Sequence, residues 1–309
     1  MKAIRIHEFG GPEVLVLEDA PRPKPGADEM LIKVHATSVN PVDWKIRKGL
    51  RKEKFPTNFP LIPGWDVSGE IEEVGSDIKN FRKGDEVYSR PDLTRNGTYA
   101  EFVVVKADQV AMKPKSIDHG KAAAVPLAGL TAWQGLFDHG KLAPGEKVLI
   151  HAASGGVGTF AVQFARWKGA YVIGTTSADN IDLVKKLGAH EVIDYKKEKF
   201  DEKLKDIDLV FDTIGGDTQK RSIKVLKNGG RLITTVKAES QEEAKTKNIQ
   251  IEGFTAQCYA EELEQIAHLI DDGKVMPVIS KVMALEQAAE AQKLSEEGHV
   301  RGKIVLEVI

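Results

Sequence analysis

At 309 residues the chain is long enough for two domains, or one large one, with a sizeable buried core. Its 44 Lys and Arg nearly balance its 46 Asp and Glu, and the formal charge of -2 excludes a general electrostatic pull toward nucleic acid or anionic membrane. One cysteine, Cys258, excludes an intrachain disulfide and any multi-cysteine zinc site, and fits a reducing compartment.

Met1 leads straight into Lys2-Ala3-Ile4-Arg5-Ile6, which alternates like a strand and lacks the apolar region of a signal peptide. No stretch approaches the ~20 apolar residues of a membrane helix. A soluble, cytoplasmic protein is therefore expected. Alternating segments recur at Val14–Leu17, Met30–Ala36, Val67–Gly75, Asp85–Tyr88 and Tyr99–Val105, broken by Pro and Gly. Short strands with that punctuation predict a compact, barrel-like β domain. From Ala122 to Trp133 small and apolar residues predict helix instead.

Beyond Pro144-Gly145, strands and helices alternate. Strands are predicted at 148–150, 170–175, 191–194, 208–212, 229–235 and 249–254. Helices are predicted after the first of them, near 180–187, and from about 217 to 226. This is the α/β signature of a doubly wound parallel sheet, whose ligand crevice lies at the carboxyl ends of its strands. Ala152 to Gly158, Thr176, Ser177, Tyr195, Thr213, Ile214, Val236 and Phe254 stand at those ends. A helix at about 261–272, a short strand at 278–279, a helix at 285–296 and a last strand at 302–308 follow. The closing segments are expected to rejoin the first domain.

The stretch Lys147 to Arg166 carries the strongest chemical signal. Apolar Val148-Leu149-Ile150 reads as a buried strand, and Ala152-Ala153-Ser154-Gly155-Gly156-Val157-Gly158 as a tight turn. Val157, Phe160, Ala161, Phe164 and Ala165 then recur at helical spacing. Strand, glycine turn and helix is the context of a dinucleotide fingerprint, in which backbone N–H groups and the helix dipole face a pyrophosphate. Ser177 stands roughly 20 residues past Gly158, where a carboxylate would bond ribose hydroxyls. A hydroxyl there accommodates a 2′-phosphate and favours NADP(H). Asp179, two residues on, argues for NADH if its side chain points inward.

These motifs resemble a known family when taken together. The glycine turn, Pro126-Leu127-Ala128-Gly129-Leu130-Thr131-Ala132, Asn40-Pro41-Val42-Asp43-Trp44-Lys45 and the closing Arg301-Gly302-Lys303-Ile304-Val305-Leu306 are similar to the quinone oxidoreductase branch of the medium-chain dehydrogenase/reductases. The Asn-Pro-Val-Asp-Trp-Lys run is most like enone and alkenal reductases. The resemblance implies a GroES-like β domain of residues 1–124 and 273–309, a Rossmann domain of 125–272, and a cleft where NADPH meets a small-molecule substrate. It also implies a homodimer. By motif position, Thr131 would bond the nicotinamide carboxamide, Ser154, Gly155, Gly156, Val157 and Gly158 the pyrophosphate, and Ser177 and Tyr195 the adenosine phosphate. Pro41, Thr176, Phe254 and Lys303 complete the implied cofactor set. Zinc-dependent relatives carry an early Cys and a Gly-His-Glu segment. Here Pro63-Gly64-Trp65-Asp66 takes that place and no cysteine precedes Cys258, so zinc chemistry is not expected.

Reduction of an activated C=C bond or a quinone needs a hydride donor and stabilisation of developing negative charge. Lys45 is the candidate for the second task, either directly or through the nicotinamide ribose, and Asn40 is the candidate to line the site beside it. Two other readings stay open. A 2-enoyl thioester reductase would carry a Tyr proton donor in the β domain, but no Tyr occurs before Tyr88. A low-turnover nucleotide-binding or redox-sensing protein is the second, and the eight histidines show no metal spacing.

Overall fold

The computed structural model describes residues 1–239 and 241–308. Two units divide the chain: Met1–Ala128 with Cys258–Gly273 and Pro277–Ile309, and Gly129–Gln257 with Lys274–Met276.

In the second unit, strand–helix alternation produces a six-stranded parallel sheet. Its order is Glu191–Asp194, Tyr171–Thr176, Lys147–Ile150, Ile207–Asp212, Leu226–Thr234, Gln250–Gly253. The chain starts at Lys147–Ile150, works outward to Glu191–Asp194, and returns to the other side at Ile207–Asp212. The reversal places a switch point between the strands ending at Ile150 and Asp212, where loops diverge and a ligand crevice opens. Val148, Leu149, Ile150, Leu209, Val210 and Phe211 are all fully buried, as apolar runs in a covered parallel sheet must be.

The first unit is built on the 11-residue strand Glu29–Val39, paired on one side with Val67–Val74 and at its start with Phe102–Lys106. The last strand, Lys303–Glu307, runs antiparallel to its far end, with Ile304 opposite Val39 and Val305 opposite Ser38. The last strand thus pairs within the β unit, and Lys303 arrives beside Asn40.

Two expectations shift. The strand expected at Val14–Leu17 starts only at Val16, because Pro12 opens a 3-10 turn over Pro12–Val14. The helix Ala260–Asp271, included above in the 125–272 domain, belongs to the β unit. Tertiary contacts decide this: Tyr88 donates its hydroxyl to Leu263 O, and Asp271 accepts the Lys115 and Ser116 N–H groups.

Candidate active site

In the sheet unit the chain leaves Lys147–Ile150 through Ala152, whose φ of 50° is left-handed. Gly155 N–H closes the turn on Ala152 O at 2.9 Å, and the helix Gly156–Trp167 begins. Thr159 is the first residue of that helix whose N–H meets a chain acceptor, Gly155 O at 2.9 Å. The N–H groups of Gly156, Val157 and Gly158 meet none among the described residues and, with the helix dipole, form a cradle for an anion. A Cβ at Gly158 would stand 2.2 Å from Ala152 O, so only glycine lets the helix start lie this close to the turn. These features fit a dinucleotide pyrophosphate.

Other predicted residues gather at the same sheet edge. Thr176 donates its hydroxyl to Ser154 Oγ at 2.7 Å. Asn180 Nδ2 donates to Ser177 Oγ at 3.2 Å, and Tyr195 N–H to Thr176 O at 3.1 Å. The Tyr195 ring is exposed, as are Lys196, Lys197 and Asp179. Phe254 N–H bonds Thr234 O, and its ring lies 4.5 Å from His139 by centroids. Thr131 is buried on the helix Pro126–Trp133.

Two residues that the motifs did not single out support this edge. His151 is buried, accepts the Thr175 hydroxyl at Nδ1 (3.0 Å) and meets Ser222 Oγ at Nε2 (2.8 Å). Ser222 donates its own proton to Thr218 O, so His151 Nε2 carries the hydrogen. Burial pushes its pKa down to about 4, and the ring is neutral. Asp212, fully buried, takes the N–H groups of Ile214 and Gly215, the Gln219 amide and the Thr234 hydroxyl, which fixes the loop at the switch point.

The β unit holds the other candidates. Asn40 ends the long strand and precedes the helix Pro41–Arg47, with Pro41 at its first position. Its N–H donates to Asp43 Oδ2 at 2.8 Å. Its carboxamide is oriented from both sides: Nδ2 donates to Asp66 Oδ2 at 2.7 Å, and Oδ1 accepts from Lys303 Nζ. Lys303, expected on the cofactor, is 4% exposed and donates also to Val39 O (3.0 Å) and Asp66 Oδ2 (3.2 Å). Asp66 accepts in addition the Ser38 hydroxyl and the Leu127 N–H. This buried ion pair is therefore fully bonded, the condition under which burial of charge is tolerated. Asp66 lies 26 residues from Asn40 and 237 from Lys303, so no local pattern marks it.

Lys45 sits on the same short helix, half-buried, its Nζ 5.3 Å from the Trp44 ring centre. Among the described residues no carboxylate pairs with it. Burial, and then the charge of Arg51, lower its pKa from the usual lysine value. A desolvated ammonium without a counter-ion is suited to bind a negative or developing negative oxygen.

A backbone anion cradle at the switch point of a doubly wound sheet, carried in one chain with a GroES-like β unit, defines a two-domain nicotinamide-type oxidoreductase. Residues 26–115 match the alcohol dehydrogenase GroES-like domain, and 187–306 match the zinc-binding dehydrogenase family. The chain is 36% identical to an Arabidopsis thaliana chloroplast envelope quinone oxidoreductase homolog, over 99% of this chain and 98% of the relative. A quinone oxidoreductase structure from Coxiella burnetii aligns at a TM-score of 0.95 with 40% identity, over 100% of this chain and 99% of that one. The Escherichia coli quinone oxidoreductase complexed with NADPH aligns at 0.90 with 29% identity, covering both chains fully. The chain belongs to the quinone oxidoreductase branch of the medium-chain dehydrogenase/reductase superfamily.

One matched family is described as zinc-binding. Among the described residues no group of three or more His, Cys, Asp or Glu side chains could hold a metal ion. The Asp66 carboxylate is bonded to an ammonium instead. The donor set of the described residues does not fit zinc. No helix of the described residues is long and apolar enough to cross a membrane.

Proposed function

We propose that the protein is an NADPH-dependent reductase of quinones or α,β-unsaturated carbonyl compounds that works without zinc. The observation that carries this reading is the half-buried Lys45 ammonium, unpaired with any carboxylate among the described residues, on the helix next to Asn40, in a chain that also holds a dinucleotide cradle. When bound, NADPH supplies a hydride, and a proton from solvent completes the reduced product.

The chain's own residues bind and orient. Gly156, Val157 and Gly158 offer N–H groups to the pyrophosphate, with Ser154 and Gly155 shaping the turn. Thr176, Ser177 and Tyr195 serve the adenosine end, where a hydroxyl suits a 2′-phosphate, and exposed Lys196 and Lys197 add positive charge. Thr131 and Phe254 serve the nicotinamide end. Lys303 acts through Asn40, whose second Nδ2 hydrogen is left for cofactor or substrate, and Pro41 fixes the turn. Lys45 donates to the substrate carbonyl oxygen as negative charge develops there, and desolvation strengthens that interaction. Cys258, buried with its thiol pushed up to about 11, suits a reducing compartment such as the cytoplasm. The family resemblance supports a homodimer.

The test follows the NADPH absorbance with a small enone, a quinone, an alcohol, or no acceptor. Consumption with enone or quinone alone is expected. Binding without consumption replaces the reading with that of a nucleotide-binding protein.

A further inference from the structure

Around the helix Pro41–Arg47, side chains without any exposed surface leave polar atoms with no partner among the described residues. Among them are Asp43 Oδ1, Arg47 Nε and Nη1, and Gln292 Oε1. Asp43 and Arg47 stand one helical turn apart on the same face. They do not pair, because Arg47 turns its Nη2 to Glu296 at 3.0 Å. Gln292, on the helix Ala288–Glu297, donates its amide N–H toward the Tyr99 hydroxyl. Tyr99 in turn donates its hydroxyl to Asp43 Oδ2 at 2.9 Å.

Buried polar atoms left dry cost as much as lost hydrogen bonds, so such a concentration marks an occupied site. The donor set names the occupant. A carboxylate oxygen opposes an anion and a guanidinium opposes a cation, so neither ion satisfies both. A small neutral molecule that donates and accepts does, and water bridges such groups with two to four bonds each. We infer that Asp43, Arg47 and Gln292 enclose a cluster of bound water molecules. Held by these waters on one side and by the Asn40 N–H and Tyr99 hydroxyl on the other, Asp43 is a positioning residue for the helix that carries Lys45.

Asp43 is also the group through which pH reaches this helix. Burial pushes its carboxyl up to about 7, against the Asn40 N–H, the Tyr99 hydroxyl and the Lys303 charge, while Asp66 adds to the rise. The groups facing it are Tyr99 beside it, Lys303 on the last strand, Asp66 ahead of the strand Val67–Val74, and Arg47 on its own helix. Glu13 and Glu296 face Arg47 in turn. Protonation of Asp43 weakens its acceptance of the Asn40 N–H and loosens the turn before the helix.

The kinetic half of this inference rests on the role given to Lys45, and the water site does not. A crystal structure of the full chain at better than 1.8 Å resolution is expected to show ordered water bonded to Asp43 Oδ1, Arg47 and Gln292. A dry space there, or a direct Asp43–Arg47 bond, overturns the site. Asp43→Asn, which keeps an acceptor oxygen, is then compared with the parent using NADPH and 1,4-naphthoquinone between pH 5.5 and 9. The expected variant melts within a few degrees of the parent, loses roughly tenfold in kcat with KM for NADPH unchanged, and lacks the parent's inflection near neutrality. An unchanged kcat and pH profile, whether or not the melting point falls, overturns the positioning role. If Lys45→Met retains full turnover, the functional reading fails while the water site stands.

Discussion

The candidate functional residues of the two units are built from different material. At residues 152–158 the working groups are backbone N–H donors, aimed by a left-handed Ala152 and by a glycine that must be glycine. At Asn40, Asp66 and Lys303 they are side chains buried to within a few per cent, each useful only because the others neutralise it. The first kind tolerates change in most of its side chains and fails at one missing hydrogen atom. The second is indifferent to backbone subtlety and fails when any one partner is removed.

The most severe test of that contrast is Asp66→Ala. It strands the Lys303 ammonium in a buried setting and is expected to cost about 3–5 kcal/mol of stability in a denaturant titration. Asp66→Asn with Lys303→Met removes both charges and should recover most of that loss. A double variant as unstable as the sum of the singles would break the claim that the pair is one unit.

Acid–base behaviour gives the next largest effect, with opposite signs in the two units. Asp43 is raised to about 7 from 3.8, so its contribution is fully present below pH 4 and is lost as pH rises through about 7. His151 is lowered to about 4 from 6.5, so its contribution is present above 6.5 and is lost as pH falls through about 4. The Asp43 separation corresponds to at most about 4 kcal/mol. Thermal melts across pH 4–8 should therefore show a stability that rises with pH in Asp43→Asn, with the parent flatter. Identical slopes would remove Asp43 from this account.

Lys45→Met should lower kcat/KM for a quinone or enone by about a hundredfold and leave NADPH affinity unaltered. A loss of cofactor binding instead would move Lys45 to the cofactor. Gly158→Ala forces a Cβ against Ala152 O and should cost about 1–3 kcal/mol, felt as weakened NADPH binding in a fluorescence titration. Gly155→Ala, where the nearest atom would be 3.3 Å away, should be milder. Smallest of all, Asp179→Lys at its exposed position should shift the NADPH-over-NADH ratio by about fivefold at low salt.

Legibility followed the same division. The turn at 152–158, the strands at 191–194 and 208–212 and the sheet edge bearing Thr176, Ser177 and Tyr195 were readable because each depends on neighbours along the chain. Lys303 was named from its motif as a cofactor-site candidate, but its partner Asp66 was not. Asp66 stands in the Pro63-Gly64-Trp65-Asp66 segment, and nothing local shows that Asn40, Ser38, Leu127 and Lys303 converge on it. The helix Ala260–Asp271 was correctly placed in sequence, yet its β-unit home depended on Tyr88 and Asp271 meeting distant partners.

By itself, then, the amino-acid order determined the alternation of strand and helix, the glycine cradle and the family to which they belong. These rest on periodicity and on backbone freedom, which act over a few residues. The tertiary structure alone decided that Asn40 is oriented by an ion pair, that Asp43 and Arg47 stay apart, and that Lys45 stands without a counter-charge among the described residues. Burial and long-range contact set the strength of those interactions, and neither has a local signature.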